Sequence, residues 1–269
     1  MKAYDFEYDG IHLSSLGFII CKFDSGDTET ISNGSEITFN TVSTLHGAKY
    51  ELINTGYDSC LETTLQICKN PCGASSMEIT VDELRIISRW LNRKEYLKFK
   101  FLTDGYWEYY YEASFNISYI TIGGTICGLE LELTTNRPFA LQEPRTVIIE
   151  NEGDTEEHHI KDFSDVEGFI YPDVQITLSD QLVGNDNELS IYNALEDRIT
   201  VISNCSAGET ITMRYPIIET DNEDHKIQND FNWVFFRLAN KYRDSSNHIT
   251  ISLPCVVRMT YSPPARVGI

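Results

Sequence analysis

The stretch Ile126-Cys127-Gly128-Leu129-Glu130-Leu131-Glu132-Leu133-Thr134-Thr135-Asn136-Arg137-Pro138-Phe139-Ala140 decides the fold class. Leu129, Leu131 and Leu133 alternate with Glu130 and Glu132, so an extended backbone puts leucines on one side and carboxylates on the other. A half-buried strand has this period of two. The strand then stops at Thr135-Asn136-Arg137-Pro138, because Pro138 has no N–H for a ladder and biases Arg137 away from helix.

Working back from that strand, Phe115–Ile122, the pair Gly123-Gly124 and Thr125–Thr134 read as a hairpin. Leu97–Phe101, the turn Thr103-Asp104-Gly105 and Tyr106–Tyr111 read as another. Four successive strands predict an antiparallel meander. The helix that precedes them is announced by Thr80 and Glu83, which have the spacing of a capping box. Val81, Leu84, Ile87 and Leu91 then form one stripe with Trp90 at its margin, which predicts a helix over about 81–93 lying across the sheet. Its other face carries Arg85, Arg89, Asn92 and Arg93. Further upstream, Tyr4, Phe6 and Tyr8 predict an opening strand with a turn at Asp9-Gly10, and Ser35–Phe39 another after Asn33-Gly34. In Cys60–Cys68, Leu61, Thr63, Leu65 and Ile67 share one face.

Working forward, the composition changes between Pro138 and Asp165, and the dense acidic stretch Glu150–His159 reads as a strand edge and a mobile loop of the second domain. The domain boundary is placed near residue 140, giving domains 1–140 and 141–269, with the closing strand left free to return to the first. Short strands follow at Val174–Leu178, Glu188–Asn193, Ile199–Ile202, Glu209–Tyr215, Trp233–Leu238, His248–Leu253 and Cys255–Tyr261. Their spacing, set by turns such as Gly184-Asn185-Asp186-Asn187, is that of a β-sandwich. The fold class is therefore mostly β.

The chain has 269 residues, 41 acidic against 21 basic, and a net charge of −20. Such a protein is repelled by nucleic acid phosphates and anionic membrane surfaces. No secretory leader and no apolar run of about 18 residues is visible, so folding in a reducing cytoplasm is expected. Seven cysteines, odd in number and widely spread, suit reduced and mostly buried thiols.

No catalytic motif is present: no nucleophile elbow, no His-Glu-x-x-His, no phosphate-binding glycine loop. No cofactor or metal is expected. Cys60, Cys68 and Cys72 lack the paired spacing of a zinc site and read as core. His158-His159, beside Asp154, Glu156 and Glu157, has the residue types to capture a divalent cation, but it and Asp221-Asn222-Glu223-Asp224-His225 read as solvated loops, the second lacking the glycine of an EF-hand. In Tyr106–Glu112, Trp107, Tyr109 and Tyr111 are assigned to the core, while Tyr106, Glu108, Tyr110 and Glu112 form the alternate face. Tyrosine is enriched where subunits meet. Tyr106 and Tyr110, with Arg85, Arg89 and Arg93 of a basic cluster that also holds Lys94, Lys98 and Lys100, are the candidate subunit-interface residues.

The order of these features resembles that of the distal tail proteins of long-tailed bacteriophages along the whole chain. The residues that carry the resemblance are the Tyr4–Tyr8 strand with Asp9-Gly10, Ile86–Leu91, and Thr135-Asn136-Arg137-Pro138-Phe139-Ala140. Tyr171–Ile176, Gly208–Thr212, Asn229–Trp233 and Tyr261–Gly268 carry it in the second half. The resemblance implies a tail-tube-like β-sandwich or barrel that forms a hexameric ring, followed by a galectin-like sandwich. It implies a structural virion component, assembled in the host bacterial cytoplasm, that joins the tail tube to the tail-tip hub and to receptor-binding proteins. DNA would pass through the ring without specific binding. None of the six histidines begins the His-x-Asn-x-Arg strand motif of sugar-binding galectins, so the second domain reads as an attachment surface. The competing reading is a carbohydrate-binding or receptor-binding module; a glycan-cleaving enzyme would need two carboxylates facing one cleft.

Overall fold

The computed structural model describes residues 5–23, 37–43, 50–153, 156–182, 187–241 and 245–267. Tyr4, the Asn33-Gly34 turn with Ser35, Asp154, the turn residues 184–186 and Gly268 lie outside them. The chain divides into two compact units, 1–142 with 265–269, and 143–264.

The first unit contains β1 (Phe6–Tyr8), β2 (Ile11–His12), β3 (Phe18–Cys21), β4 (Ile37–Ser43), β5 (Tyr50–Tyr57), β6 (Glu62–Lys69), helix α1 (Val81–Leu91), β7 (Leu97–Phe101), β8 (Tyr109–Ile122), β9 (Thr125–Thr135) and β10 (Ala140–Gln142). The second contains β11 (Arg145–Asn151), β12 (Glu157–Lys161), β13 (Gly168–Ile170), β14 (Asp173–Leu178), β15 (Asn187–Asn193), β16 (Arg198–Cys205), β17 (Thr210–Arg214), β18 (Ile217–Thr220), the short helix α2 (Ile227–Asp230), β19 (Leu238–Asn240), β20 (Ser246–Ile251) and β21 (Cys255–Tyr261). A last strand, β22 (Pro264–Ala265), brings the chain back to pair with β10.

In the first unit an antiparallel sheet runs in the order β2-β1-β7-β8-β9-β6-β3, with β10 attached to β8 and β22 to β10. Its path ends at β2 and β3, so it is an open sheet and no closed barrel forms among the described residues. Leu129, Leu131 and Leu133 of β9 are fully buried, each contributing about 1.5–3 kcal/mol of apolar burial. Thr135 closes that strand: its hydroxyl accepts from the Leu61 N–H at 3.0 Å and donates to the Arg137 carbonyl at 2.6 Å, which folds Thr135-Asn136-Arg137 into the turn. The meander has three strands rather than four, since β8 runs unbroken for 14 residues and serves both hairpins.

Helix α1 begins at the capping box of Thr80 and Glu83. At 11 residues it is too short to be stable alone in water, so packing must hold it. Trp90, read from sequence as marginal, is the centre of that packing. It is 5% exposed, its indole stacks on Phe6 at 5.7 Å, and its N–H donates to the Tyr8 carbonyl at 2.9 Å. Val81, assigned to the apolar stripe, is instead 72% exposed at the first turn.

In the second unit, a five-stranded sheet (β11-β21-β14-β17-β18) and a four-stranded sheet (β12-β20-β15-β16) share one hydrophobic core. Val174, Ile176 and Leu178 from the first and Leu189, Ile191, Ile249 and Ile251 from the second meet there, each on the inward side of a strand. Asn247 is fully buried within it and ties three segments together. Its carbonyl accepts from the Ala239 N–H and the Asn193 amide, while its own amide donates to Ala239 and Ile160 carbonyls. The expected strand over Trp233–Leu238 does not form. Trp233 sits at φ 58°, a left-handed conformation that an extended ladder cannot contain, and only Leu238–Asn240 pairs, with β13.

Candidate functional site

The surface features of the first unit gather on α1, on the β7–β8 connection and on the β4–β5 hairpin. Arg85 is exposed and pairs only loosely with Asp82 at 3.7 Å. Arg89 is exposed on the same helix. Arg93 reaches Asp9 at 3.8 Å and donates to the Trp90 carbonyl at 3.2 Å, so part of its charge is engaged locally. Exposed ion pairs of this kind contribute about 0–1 kcal/mol and leave the guanidinium groups available to a larger partner.

The tyrosine run is arranged differently from the sequence expectation. β8 starts only at Tyr109, so Tyr106 and Trp107 lie in a turn and do not follow strand alternation. Trp107 is 60% exposed, where core was expected, and Tyr106 is half-buried against the core. Tyr110 is buried beneath β10, opposite Leu141, with the Lys98 ammonium 4.5 Å from its ring centroid. Its side is not an open face of the subunit. Tyr109 is half-buried, and Tyr111 sits in the core, where burial pushes its phenol well above the usual range.

The sequence reading left the β4–β5 hairpin almost untouched. It is a two-stranded ribbon separate from the main sheet, paired from Ile37↔Tyr57 to Ser43↔Tyr50 with a bulge after Asn40. Every described residue from 37 to 43 and from 50 to 56 is exposed. Six of them are large and apolar: Ile37, Phe39, Val42, Tyr50, Leu52 and Ile53 are between 39% and 71% exposed. An isolated two-stranded ribbon is marginally stable in water at best. At its base Tyr57 meets the Phe139 ring at 6.1 Å and accepts from Arg266 at 3.0 Å.

The second unit presents a run of aromatic rings. Phe169 meets Tyr171, Tyr171 stacks on Tyr215 at 4.1 Å, Tyr215 meets Phe235, and Phe235 meets Trp233. Phe169, Tyr215 and Trp233 are all more than half exposed. Asn232 holds the Trp233 kink, its amide donating to the Ile199 carbonyl and its carbonyl accepting from the Val234 N–H, both at 3.1 Å. Arg237 lies over the Phe169 ring at 3.9 Å and is fixed by two bonds to Glu196, at 2.6 and 2.7 Å, which raise its pKa.

Of the two stretches read as solvated loops, Asp221–His225 is a loop with Asp221, Glu223 and Asp224 exposed and only His225 buried, while the other belongs to a strand. Glu157–Lys161 is strand β12, with His159 directly opposite His248 on β20. His225 is buried, and its imidazole lies between two carboxylates. Its Nδ1 is 2.5 Å from Glu209, and its Nε2 is 3.4 Å from Asp230. Glu209 also accepts from the Thr220 hydroxyl and the Ser206 N–H. This network ties the loops at 206–209 and 221–226 to helix α2; besides the histidine, its carboxylates accept from the Thr220 hydroxyl, the Ser206 N–H and the Asn204 amide. Cys205 and Cys255 are buried thiols whose pKa values are pushed up to about 12 and about 11 by burial, whereas Cys72 is exposed.

Among the described residues no helix is long and apolar enough to cross a membrane. No curated protein matches the chain. Among solved structures the chain is similar to the crystal structure of Dit (gp 19.1) of SPP1, described as a paradigm of the hub adsorption apparatus in phages that infect Gram-positive hosts. That likeness has a TM-score of 0.62 at 12% identity and covers 97% of this chain and 99% of the other, so it is a likeness of fold. A model of the phage tail protein N-terminal domain matches residues 1–137, and a model of the phage tail C-terminal domain matches residues 139–261. With both halves matched, the chain belongs to this family of phage tail proteins, structural components of the virion.

Proposed function

We propose that this tail protein works at the distal end of the tail, where six copies form a ring between the tail tube and the tail-tip hub. The observation that carries the reading is the β4–β5 hairpin. A ribbon with apolar side chains on both faces gains its stability from a second surface, and a neighbouring copy supplies one at every position of a closed ring. Arg85, Arg89 and Arg93 add a basic face to a protein of charge −20, so they meet acidic surface on the adjacent copy. Trp107 joins Tyr106 as the accessible aromatic part of that contact, and Tyr110 supports it from beneath.

An acidic ring denies DNA the counterion release that drives binding, and so lets it pass without adhering. The Phe169–Trp233 aromatic run of the second unit is the attachment surface for tail-tip or receptor-binding proteins. Assembly takes place in the host bacterial cytoplasm before the ring enters the virion.

Native mass spectrometry of the full chain tests the ring. The wild type is expected as a hexamer at micromolar concentration, and Phe39→Asp with Ile53→Asp as a monomer of unchanged circular dichroism. A monomeric wild type, or a hexamer indifferent to both charges, refutes the reading.

A further inference from the structure

We infer that Glu157, His159 and His248 form a divalent transition-metal site, best suited to Zn2+, on the outer face of the four-stranded sheet. One ligand atom from each residue lies within 4.8 Å of the others. The register produces this grouping. Glu157 and His159 are two apart on β12 and so share a face, and His159 is the direct partner of His248 on β20. The two imidazoles meet with centroids 4.3 Å apart.

The distances suit a tetrahedral ion. Glu157 Oε1 is 2.9 Å from His248 Nδ1, and Glu157 Oε2 is 3.8 Å from His159 Nε2. These bracket the separation of about 3.3 Å expected between ligands bonded to zinc at about 2.0–2.1 Å. Two imidazole nitrogens and one carboxylate are a donor set typical of zinc, and water completes the fourth position. Binding through Nδ1 takes the neutral His248 tautomer with its proton on Nε2, and replaces the His248–Glu157 contact with two bonds to the ion. All three side chains are between about a third and a half exposed or more, so the ion has an open path of entry.

His158 provides the internal contrast. It is turned the other way by strand alternation, and its Nε2 is 3.0 Å from Asn151, whose amide donates to the Ile251 and Leu253 carbonyls. It therefore stands outside the site. An ion held by β12 and β20 together clamps an edge strand to its neighbour.

Isothermal titration of the full chain with ZnCl2, combined with the visible spectrum of the Co2+ form, tests the site. One equivalent is expected to bind, with a tetrahedral Co2+ spectrum that lacks the thiolate charge-transfer band. His159→Gln and His248→Gln should each weaken binding about 100-fold, Glu157→Gln about 10-fold or more, and His158→Gln should leave it unchanged. Three results overturn the proposal: no saturable binding, binding that survives either histidine substitution unchanged, or a thiolate band, which would place the ion on cysteine. Thermal melts of each variant without metal separate lost ligands from lost folding, since a folded His159→Gln or His248→Gln chain that still binds zinc with wild-type affinity refutes the site.

Discussion

Glu209 is a buried carboxylate of the second unit around which three partners close. Its carboxylate is held by the Ser206 N–H, the Thr220 hydroxyl and His225, and both acid and imidazole are shielded from water. Removing one partner of a buried pair strands the other, which costs about 3–5 kcal/mol. Glu209→Ala should therefore lower the denaturant midpoint far more than Glu150→Ala on the exposed side of β11, with urea unfolding as the measurement. The sequence could not reveal this group. Glu209, His225 and Asp230 are separated by loops, and a run such as Asp221–His225 looks like any hydrated acidic turn until the chain folds back on itself. The same distance effect hid the setting of Tyr110, which is buried and pairs with Leu141 of β10, a strand that arrives from beyond the strand-ending turn.

At the scale of the element, helix α1 shows what local chemistry dictates and what packing decides. The capping box made its start legible. Glu83 there has its carboxyl held below the usual range: burial pushes it up, but bonds from Lys69 and Thr80 outweigh that. A depressed carboxyl supports folding at neutral pH, and the support is lost as pH falls through its lowered value. Lys69→Met should accordingly weaken the acid resistance of the first turn, visible as faster amide exchange at residues 82–84 below the ordinary carboxylate range. Strands β9 and β21 were legible for the same local reason, an unbroken period of two over a single buried face. The β4–β5 ribbon has no buried face, so it leaves no alternation to read. The segment 233–238 carries strand-forming residues, yet the left-handed turn at Trp233 overrides their preference.

At the scale of the whole molecule, both cores bury phenols whose ionisation opposes folding. Burial raises Tyr8 and Tyr261 to about 12, and Tyr111 higher still. A folded-state pKa above the unfolded value means stability that is complete below about pH 10 and is lost as pH rises through the folded values. Spectrophotometric titration should show these phenols ionising together with loss of near-ultraviolet circular dichroism.

The return of the chain through β22 has a consequence for how such a protein can change. β10 and β22 are neighbours, so the second unit leaves and re-enters the first at two adjacent strands, with ends about 5 Å apart. Any module whose own termini lie side by side can be spliced into that slot without disturbing the host sheet. The fold thereby lets a lineage exchange its second unit for another while the first stays as it is.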